Sequence, residues 1–594
     1  MRTASWHIDC YFIAMQSLLE RRAWRWRPAR RSPGAGAWRA AVEWALLLSA
    51  GAALSWLSTG FVFGTNNNVY HLPIVGALFS LPPFADDAFI QSLRGFSSGW
   101  WMLLEGSDRS IDPVVLFGAM AALSKCLGLL GMTLIAQELG LVGRAQRAGF
   151  IGVVALMPVL QGHAFAGHGG LFMNYATHSE LATGVALLML WACLRRRFDV
   201  ALALIGLVFF LNAFMAVWTV LPWAWLFVRA ARSDPSLWVR QRRGLGGALA
   251  VAALLATPVI LRALRSGLLG RGADTAFDYS AYLLDTYPYH FLASSLPLGQ
   301  WLGLAAVVAT AALGLRSIGP RAAALAHALA AFGVVYAVGV LLPLFTQAHG
   351  LLNLHLLRVS VFAHLIAGIA MGVTIVRGFA SADVHRRWLA SPWLLLFMWL
   401  PRVALVGTLL LPALQNLLRS SSVRARAWTK RAGIGLTLAS AACAAGTTHL
   451  TQQRNEALRR SVADWSELAR AIERASAPSE MVLLPYETDS WQPPDAGAGV
   501  FEYVAHRPVW ADRKRGAAVL WQPAYHTEWR SRTEGLAALQ SWDEKLRFAA
   551  ARHIDIVVDR CEGLAAVSAP DLIARVGPLC AVRVAEGPSP PTPH

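Results

Sequence analysis

Apolar residues recur in long runs along most of the chain. Many runs extend over about 17–25 residues, the length with which an α-helix crosses roughly 30 Å of hydrocarbon. Short polar loops with arginines separate them, such as Arg195–Arg197 and the cluster from Arg229 to Arg243. The pattern predicts an all-α polytopic membrane bundle of about ten to thirteen transmembrane helices, some of them short or broken.

The apolar runs give approximate positions for the helices. Single spans are predicted near 40–63, 112–137, 148–163, 181–194, 244–265, 300–315, 322–344, 357–376 and 432–449. The stretches 199–228 and 391–418 are short for two full spans, and each is interpreted as a pair of short helices. Asn212 marks the turn in the first pair, and Pro401-Arg402 with Pro412 interrupt the second. Irregular backbone at that depth must be buried in protein or line a wet cavity.

The charge distribution predicts the orientation of the bundle. The 594 residues are 56% hydrophobic and 15% charged, with a formal net charge of +18. The arginines lie in short loops, as the positive-inside rule describes, and no motif points to nucleic acid. Residues 1–39 form a basic segment expected in the cytoplasm, without a cleavable signal peptide and with Met15 as an alternative start to Met1. The loop 64–111 is then expected on the outer face.

Residues 40–450 are assigned to the membrane domain and residues 451–585 to a small external α/β domain. That domain opens with a polar helix at 452–475, followed by the strand-like runs "EMVLLP", "VFEYVAHRPVWAD" and "IDIVVD". A helix near 535–552 and a strand near 579–584 complete the alternation. Cys561 and Cys580 would pair if that side is oxidising, or remain separate thiols. The tail 586–594 is expected to be disordered.

Two adjacent carboxylates stand out in the first external loop, in "SLPPFADDAFIQSLRGFSSGWW" (80–101). Apolar positions from Phe89 to Trp100 follow helical spacing, which predicts a helix lying in the membrane interface. In one interpretation a single carboxylate caps this helix and the other is solvated. In the other, Asp86 or Asp87 is partly desolvated and accepts a proton from a nucleophile. The helical spacing turns Asp86 toward the protein or membrane body.

Further polar groups are expected at the same outer level. The glycine-rich loop 161–180 contains His163, His168, His178 and Glu180, which would contact a sugar or phosphate, or simply lie in the interface. A metal ion at His163 and His168 is a further interpretation, although the spacing matches no closed zinc motif.

Two more stretches belong to this set. The run "NNNVYHLP" (66–73) contributes Asn68 and His71, which would orient a polyol or form a turn. The run 346–360 places His355 and Arg358 at the start of an apolar helix. Arg358 would bind phosphate oxygens through its bidentate fork, or snorkel to the interface. Together these groups predict a membrane-embedded cavity that opens outward.

This arrangement resembles the GT-C superfamily of polytopic glycosyltransferases, and a bacterial branch of it in particular. The matching segments are "NNNVYHLPIV", "FADDAFIQSL", "YATHSELATGVALLMLW", "LNAFMAVW" and "RPVWADRKRG…EWRSR". By this resemblance the acidic residue of the first loop is the base, with "D-x-F" favouring Asp87, and Arg358 holds the lipid phosphate. Asn212 stands where many members have a histidine. The absence of a WWD motif disfavours transfer to protein asparagine.

The resemblance implies transfer of a sugar from a polyprenyl-phosphate donor to an acceptor on the outer face of a bacterial inner membrane. Membrane lipids are the other expected partners. The C-terminal domain would be periplasmic. No cofactor is certain, and a divalent metal ion is an open option. A transporter or flippase for a lipid-linked or polar solute, and a non-catalytic envelope-assembly protein, are the alternative functions. The sequence leaves the sugar, the acceptor and the oligomeric state open.

Overall fold

The computed structural model describes residues 35–265, 277–287, 289–399, 423–486, 495–564 and 571–585, with residues 407, 410 and 411. Three predictions lie mainly outside them: the basic segment before residue 35, the second pair of short helices beyond residue 399, and the tail 586–594. The chain divides into the units 1–47 and 48–594. The described part of the first unit, residues 35–47, is helical.

The described chain is mostly helical because its apolar runs satisfy their backbone groups internally, as a bilayer requires. The helices are α1 (Ala35–Thr59), α2 (Asn68–Val75), α3 (Ala88–Ser92), α4 (Gly99–Leu103), α5 (Pro113–Glu138), α6 (Arg144–Ala155), α7 (His178–Leu194), α8 (Phe198–Leu211), α9 (Ala213–Ser233), α10 (Ser236–Arg265), α11 (Tyr279–Thr286), α12 (Leu298–Ile318), α13 (Ala323–Leu341), α14 (His349–Leu352), α15 (Ser360–Phe379), α16 (Ser391–Phe397), α17 (Val423–Ala475), α18 (Phe501–Ala505), α19 (Tyr525–Thr533) and α20 (Trp542–Ala550).

Among the described residues, 7 helices are long and apolar enough to cross a membrane, judged by length and composition. They are Trp38–Thr59, Pro113–Glu138, Ala213–Ser233, Ser236–Arg265, Leu298–Ile318, Pro320–Leu344 and His349–Phe379. The shorter apolar helices α7 and α8 lie beside them. These helices identify an integral membrane protein, and the predicted fold class is confirmed.

The predicted break at Asn212 is confirmed, but only one of the two helices is short: α8 has 14 residues, whereas α9 has 21 and is long and apolar enough to cross a membrane. The backbone of Asn212 is extended between α8 and α9, with φ −151°. Its Oδ1 accepts a hydrogen bond from the N–H of Met215 at 3.3 Å, and its Nδ2 donates to Ser179 Oγ at 3.0 Å. The side chain thus caps α9 and ties the break to the start of α7.

The small C-terminal domain contains a four-stranded sheet of order β1-β2-β4-β3. Its strands are β1 (Val482–Leu483), β2 (Ile556–Arg560), β3 (Asp571–Val576) and β4 (Leu579–Arg583). β1 and β2 pair in parallel, and the other two pairings are antiparallel. The prediction of a small α/β layer is confirmed, although β3 was not foreseen.

Two local predictions in the C-terminal region are wrong. The run "VFEYVAHRPVWAD" is helix α18 followed by an extended segment, of which Val509 forms a single bridge with Val482. The separate span 432–449 and polar helix 452–475 are one helix, α17, of 53 residues. Its polar half is not a free helix, because Trp465, Leu468 and Ile472 are fully buried in the C-terminal domain.

The predicted interfacial helix over 86–101 is also wrong. The segment breaks into α3, a 3-10 turn over Leu93–Gly95 and α4. Phe89, Leu93 and Trp101 are buried in a core shared with the C-terminal domain. The apolar face therefore packs against protein rather than lipid.

That shared core positions the candidate site. It combines residues of the first loop, of α11, of α17 and of the C-terminal domain, among them Leu72, Phe89, Tyr282, Trp465, Phe501, Val519 and Ile556. Because one hydrophobic core contains all these elements, the C-terminal domain closes over one end of the bundle.

Candidate active site

Arg358 lies at the end of the bundle that the C-terminal domain covers. It belongs to a 3-10 turn, Leu356–Val359, directly before α15. Among the described residues, its buried Nε has no hydrogen-bond partner, and no carboxylate forms an ion pair with its guanidinium. Arg358 is half-buried. A partly buried guanidinium without a counter-ion is costly, so an anionic ligand would satisfy it.

The glycine-rich loop predicted from the sequence wraps around this arginine. A Cβ on Gly167 would lie 2.2 Å from the carbonyl oxygen of Leu357, and one on Gly169 would lie 3.0 Å from that of Arg358. Gly167 also has a positive φ of 149°, a backbone conformation that residues with a side chain rarely adopt. Only glycine therefore allows the loop backbone to approach the turn that carries Arg358.

Histidines and tyrosines surround Arg358. The rings of His163 and His168 stack with centroids 5.1 Å apart, and His168 lies 5.2 Å from His290. Arg358 also acts electrostatically on His178, His355 and Tyr175. The structure therefore brings together five predicted residues, Arg358, His163, His168, His178 and His355, and adds His290, Tyr175 and Tyr287.

The histidines outside the spans are held neutral. Burial lowers the pKa of His163 to about 3, and the neighbouring His168, Arg358 and Lys514 act in the same direction. Burial and Arg358 lower the pKa of His168 as well, and that of His290 lies well below its usual value for the same reasons. Neutral imidazoles around a cation can donate hydrogen bonds to an anion without adding charge.

The C-terminal domain contributes a second cation, Lys514, at the start of the 3-10 turn Lys514–Leu520. Burial lowers the pKa of Lys514 to about 8, with Asp512 opposing and Arg358 and Arg513 reinforcing the shift. Lys514 acts on His71, His163 and His290 as well. Its ammonium therefore belongs to the same electrostatic environment as Arg358.

The two adjacent carboxylates of the first loop have different surroundings. Asp86 is exposed, whereas Asp87 is buried with 6% of its surface accessible. This is the reverse of what helical spacing predicts, because no continuous helix forms there. Asp87 caps α3 by accepting from the N–H of Ile90 at 2.9 Å, and it pairs with Arg515 at 3.4 Å.

Three other predicted residues serve packing or backbone contacts. Asn68 Oδ1 accepts from the N–H of Gly64 at 3.0 Å. Glu180 pairs with Lys125 at 3.3 Å, and both side chains are buried. The ring of His71 stacks on Trp101 with centroids 4.0 Å apart, and its two nitrogens have no hydrogen-bond partner among the described residues.

His178 and His355 each have a close polar partner within the protein. His178 Nδ1 accepts from Trp101 Nε1 at 2.9 Å, which links the cluster to the first loop. His355 has a left-handed backbone with φ 53°, and its Nε2 lies 3.2 Å from Asn353 Oδ1. Each ring thus has one nitrogen engaged by the protein.

No group of three or more His, Cys, Asp or Glu side chains that could hold a metal ion occurs within the described residues. His163 and His168 are stacked on each other, which does not aim both rings at one ion. In the C-terminal domain, Cys561 and Cys580 form a disulfide, with Cα atoms 5.0 Å apart.

Sequence reasoning missed Lys514, Arg515 and His290 as neighbours of the site. Lys514 and Arg515 do lie in the segment "RPVWADRKRG" on which the family resemblance partly rested. A strongly basic run inside an otherwise apolar part of the C-terminal domain was the available signal.

No protein-family model and no curated protein matches the chain. Among solved structures, the chain is similar to ArnT from Cupriavidus metallidurans in the apo state, with 13% identity and a TM-score of 0.41 over 93% of this chain and 100% of that one. The chain is also similar to the same protein bound to undecaprenyl phosphate, with 13% identity and a TM-score of 0.41 over 94% of this chain and 100% of that one. These values are too low to carry a residue role or a ligand from ArnT to this chain.

Proposed function

We propose that the chain is a membrane glycosyltransferase of GT-C type that transfers a sugar from a polyprenyl-phosphate donor to an acceptor at the outer face of a bacterial inner membrane. The observation that carries the proposal is Arg358, a half-buried arginine at the start of an apolar helix, whose buried Nε has no hydrogen-bond partner among the described residues. A phosphate there would sit beside the bilayer, where the prenyl chain of the same molecule can stay.

The reaction follows from this placement. The acceptor's hydroxyl or amine attacks the anomeric carbon, and the bond from that carbon to the phosphate oxygen breaks. The bonding electrons leave with the polyprenyl phosphate, whose negative charge increases and which Arg358 stabilises. A carboxylate takes the proton of the nucleophile. Direct displacement inverts the anomeric configuration.

Asp86 and Asp87 are the proposed bases, and the structure distinguishes their surroundings. Asp86 is exposed, so a nucleophile can reach its carboxylate. Asp87 would have to release Arg515 or the cap of α3 before it could do so. We therefore expect Asp86→Asn to lower kcat with little effect on stability, and Asp87→Asn to change stability as well.

The test uses the full chain in detergent with a prenyl-phosphate-linked sugar donor. We expect Arg358→Gln to lower kcat/KM by at least about 100-fold, given the strength of charge-assisted hydrogen bonds to phosphate. Arg575→Gln, which removes an exposed arginine of β3, should retain activity. EDTA added to the same assay reports on a metal requirement.

Three outcomes would count against the proposal. Full activity in Asp86→Asn, Asp87→Asn and the double variant would exclude both carboxylates as the base. Movement of the lipid-linked donor across reconstituted vesicles without sugar transfer would identify a flippase. Absence of both donor binding and transfer in the unmodified protein would identify a non-catalytic membrane protein.

A further inference from the structure

The segment Asp512–Trp521 of the C-terminal domain is held against the membrane domain by several hydrogen bonds. Tyr282 Oη donates to the carbonyl of Gly516 at 2.7 Å, and Asn353 Nδ2 donates to that of Leu520 at 2.5 Å. Trp521 Nε1 donates to the carbonyl of Ser92 at 3.2 Å. Three separate parts of the membrane domain therefore fix the turn that carries Lys514.

Rings from both domains also meet around this turn. Tyr70 lies 5.8 Å from Trp521, and Phe96 lies 5.1 Å from it, measured between ring centroids. His71 lies 5.6 Å from Tyr70 and 5.7 Å from His178. The aromatic cluster connects the Lys514 turn to the histidines around Arg358.

Two cations, one from each domain, act on the rings of this cluster. Arg358 and Lys514 are the cations, because the surrounding histidines are neutral. Arg513, next in the chain, donates instead to the carbonyl of Asp285 at 3.2 Å. Asp512 is the carboxylate that acts on Lys514, and its Oδ1 accepts from the N–H of Arg515 at 3.0 Å.

We propose that Lys514 is a second phosphate-binding residue, supplied by the C-terminal domain, and that together with Arg358 it makes the site selective for a phosphomonoester over a phosphodiester. This inference rests on the proposed function and deepens it. A phosphomonoester carries close to two negative charges at neutral pH, whereas a diester carries one. Two cations from two domains match the monoester.

The selectivity has a consequence for the proposed reaction. The sugar donor is a phosphodiester, and the leaving polyprenyl phosphate is a phosphomonoester. A site with a higher affinity for the more highly charged species also stabilises the charge that develops on the leaving group as the bond breaks. Lys514 would thus contribute more to the transition state than to binding of the donor.

The experiment measures binding of farnesyl phosphate and of its methyl diester to the full chain in detergent. We expect the unmodified protein to prefer the monoester by at least about tenfold. Lys514→Gln should weaken monoester binding about tenfold and diester binding less than about threefold. Lys514→Arg and the exposed control Arg575→Gln should stay within about threefold of the unmodified protein.

A pH series on the unmodified protein gives a second measurement that needs no variant. Between about pH 7 and 9 the monoester keeps its two charges, while Lys514 loses its proton in the empty site. The histidine pKa values lie below this window, and Asp512, Arg513 and Arg358 are the other charged groups that face Lys514. Monoester affinity should fall by up to about tenfold across it.

An unchanged ratio of monoester to diester affinity in Lys514→Gln, or an affinity independent of pH, would overturn the inference. The proposed function is judged separately. If sugar is transferred but Lys514→Gln leaves the ratio of monoester to diester affinity unchanged, the role of Lys514 is rejected and the transferase function stands. If the protein binds the monoester selectively through Lys514 but transfers no sugar, the role of Lys514 stands and the transferase function is rejected.

Discussion

Asp87 and Arg515 form a buried ion pair at 3.4 Å although they are 428 positions apart in the sequence. Arg515 also pairs with Glu502 and donates to the carbonyl of Val509 at 2.8 Å. Its guanidinium lies 4.8 Å from the centre of the Phe89 ring. One arginine of the C-terminal domain therefore satisfies two carboxylates and covers an aromatic side chain of the first loop.

Loss of this arginine should destabilise the protein strongly. We expect Arg515→Gln to lower the free energy of unfolding by about 3–5 kcal/mol, because it leaves the Asp87 carboxylate buried without its cation. Thermal unfolding of the detergent-solubilised protein, followed by tryptophan fluorescence, measures this. Arg575→Gln is the matched control and should leave the Tm unchanged. Equal Tm values for the two variants would contradict a structural role for the pair.

Glu502 should make the stability depend on pH. Burial raises the pKa of Glu502 to about 8, with Arg515 opposing the shift and Asp87 adding to it. A carboxyl whose pKa is higher in the folded chain stabilises the fold at low pH and loses that contribution as the pH rises through the folded pKa. We expect the Tm to fall between about pH 6.5 and 8.5, and to fall less in Glu502→Gln.

The comparison with Glu502→Gln isolates this group from others that titrate nearby. Lys514, with its pKa lowered to about 8, acts in the opposite direction above that pH, but both proteins contain it. Parallel Tm profiles for the two proteins would show that Glu502 is ionised throughout the window.

Gly167 should be more sensitive to substitution than Gly162. Both have positive φ, but a Cβ on Gly162 meets nothing within 4 Å, whereas one on Gly167 would lie 2.2 Å from the carbonyl of Leu357. Gly162→Ala should therefore cost about 1–2 kcal/mol from backbone strain alone. We expect Gly167→Ala to add displacement of the Arg358 turn and to weaken farnesyl phosphate binding by about tenfold or more. Equal binding in both variants would contradict this.

The Lys125–Glu180 pair lies inside the bundle, where the two partners depend on each other. Lys125 Nζ also donates to the carbonyl of Met173 at 2.8 Å. We expect Glu180→Met alone to cost about 3–5 kcal/mol, because it leaves a buried ammonium unpaired. The double variant Lys125→Met/Glu180→Met should lose less than the single one, which Tm measurements on the three proteins can determine. A double variant less stable than Glu180→Met would contradict the argument.

Periodicity predicted the membrane helices but not what covers their ends. The break at Asn212 could be read from the distance between two arginine clusters, since that distance is set by bilayer thickness. The burial of the apolar face from Phe89 to Trp101 could not be predicted, because an apolar face that contacts lipid and one that contacts another domain have the same spacing.

Some residues of the candidate site could likewise be predicted from the sequence, and others could not. Arg358 could be predicted because a cation at the start of an apolar helix is unusual in itself. Lys514 could not, since its position depends on the docking of a segment 156 residues further along the chain. The choice between Asp86 and Asp87 also depended on local breaks in the helix, which proline and glycine positions alone did not define.

The continuous core has a consequence for biosynthesis. Phe89 of the first loop contacts Arg515 and Tyr525, which are made more than 400 positions later. At roughly 5–20 residues per second, translation needs tens of seconds to reach Arg515 after Asp87 has emerged. During that interval the loop has apolar surface and an acidic side chain without their eventual partners. A ribosome that stalls before the C-terminal domain would thus leave an inserted bundle with an aggregation-prone loop, a natural substrate for membrane quality control.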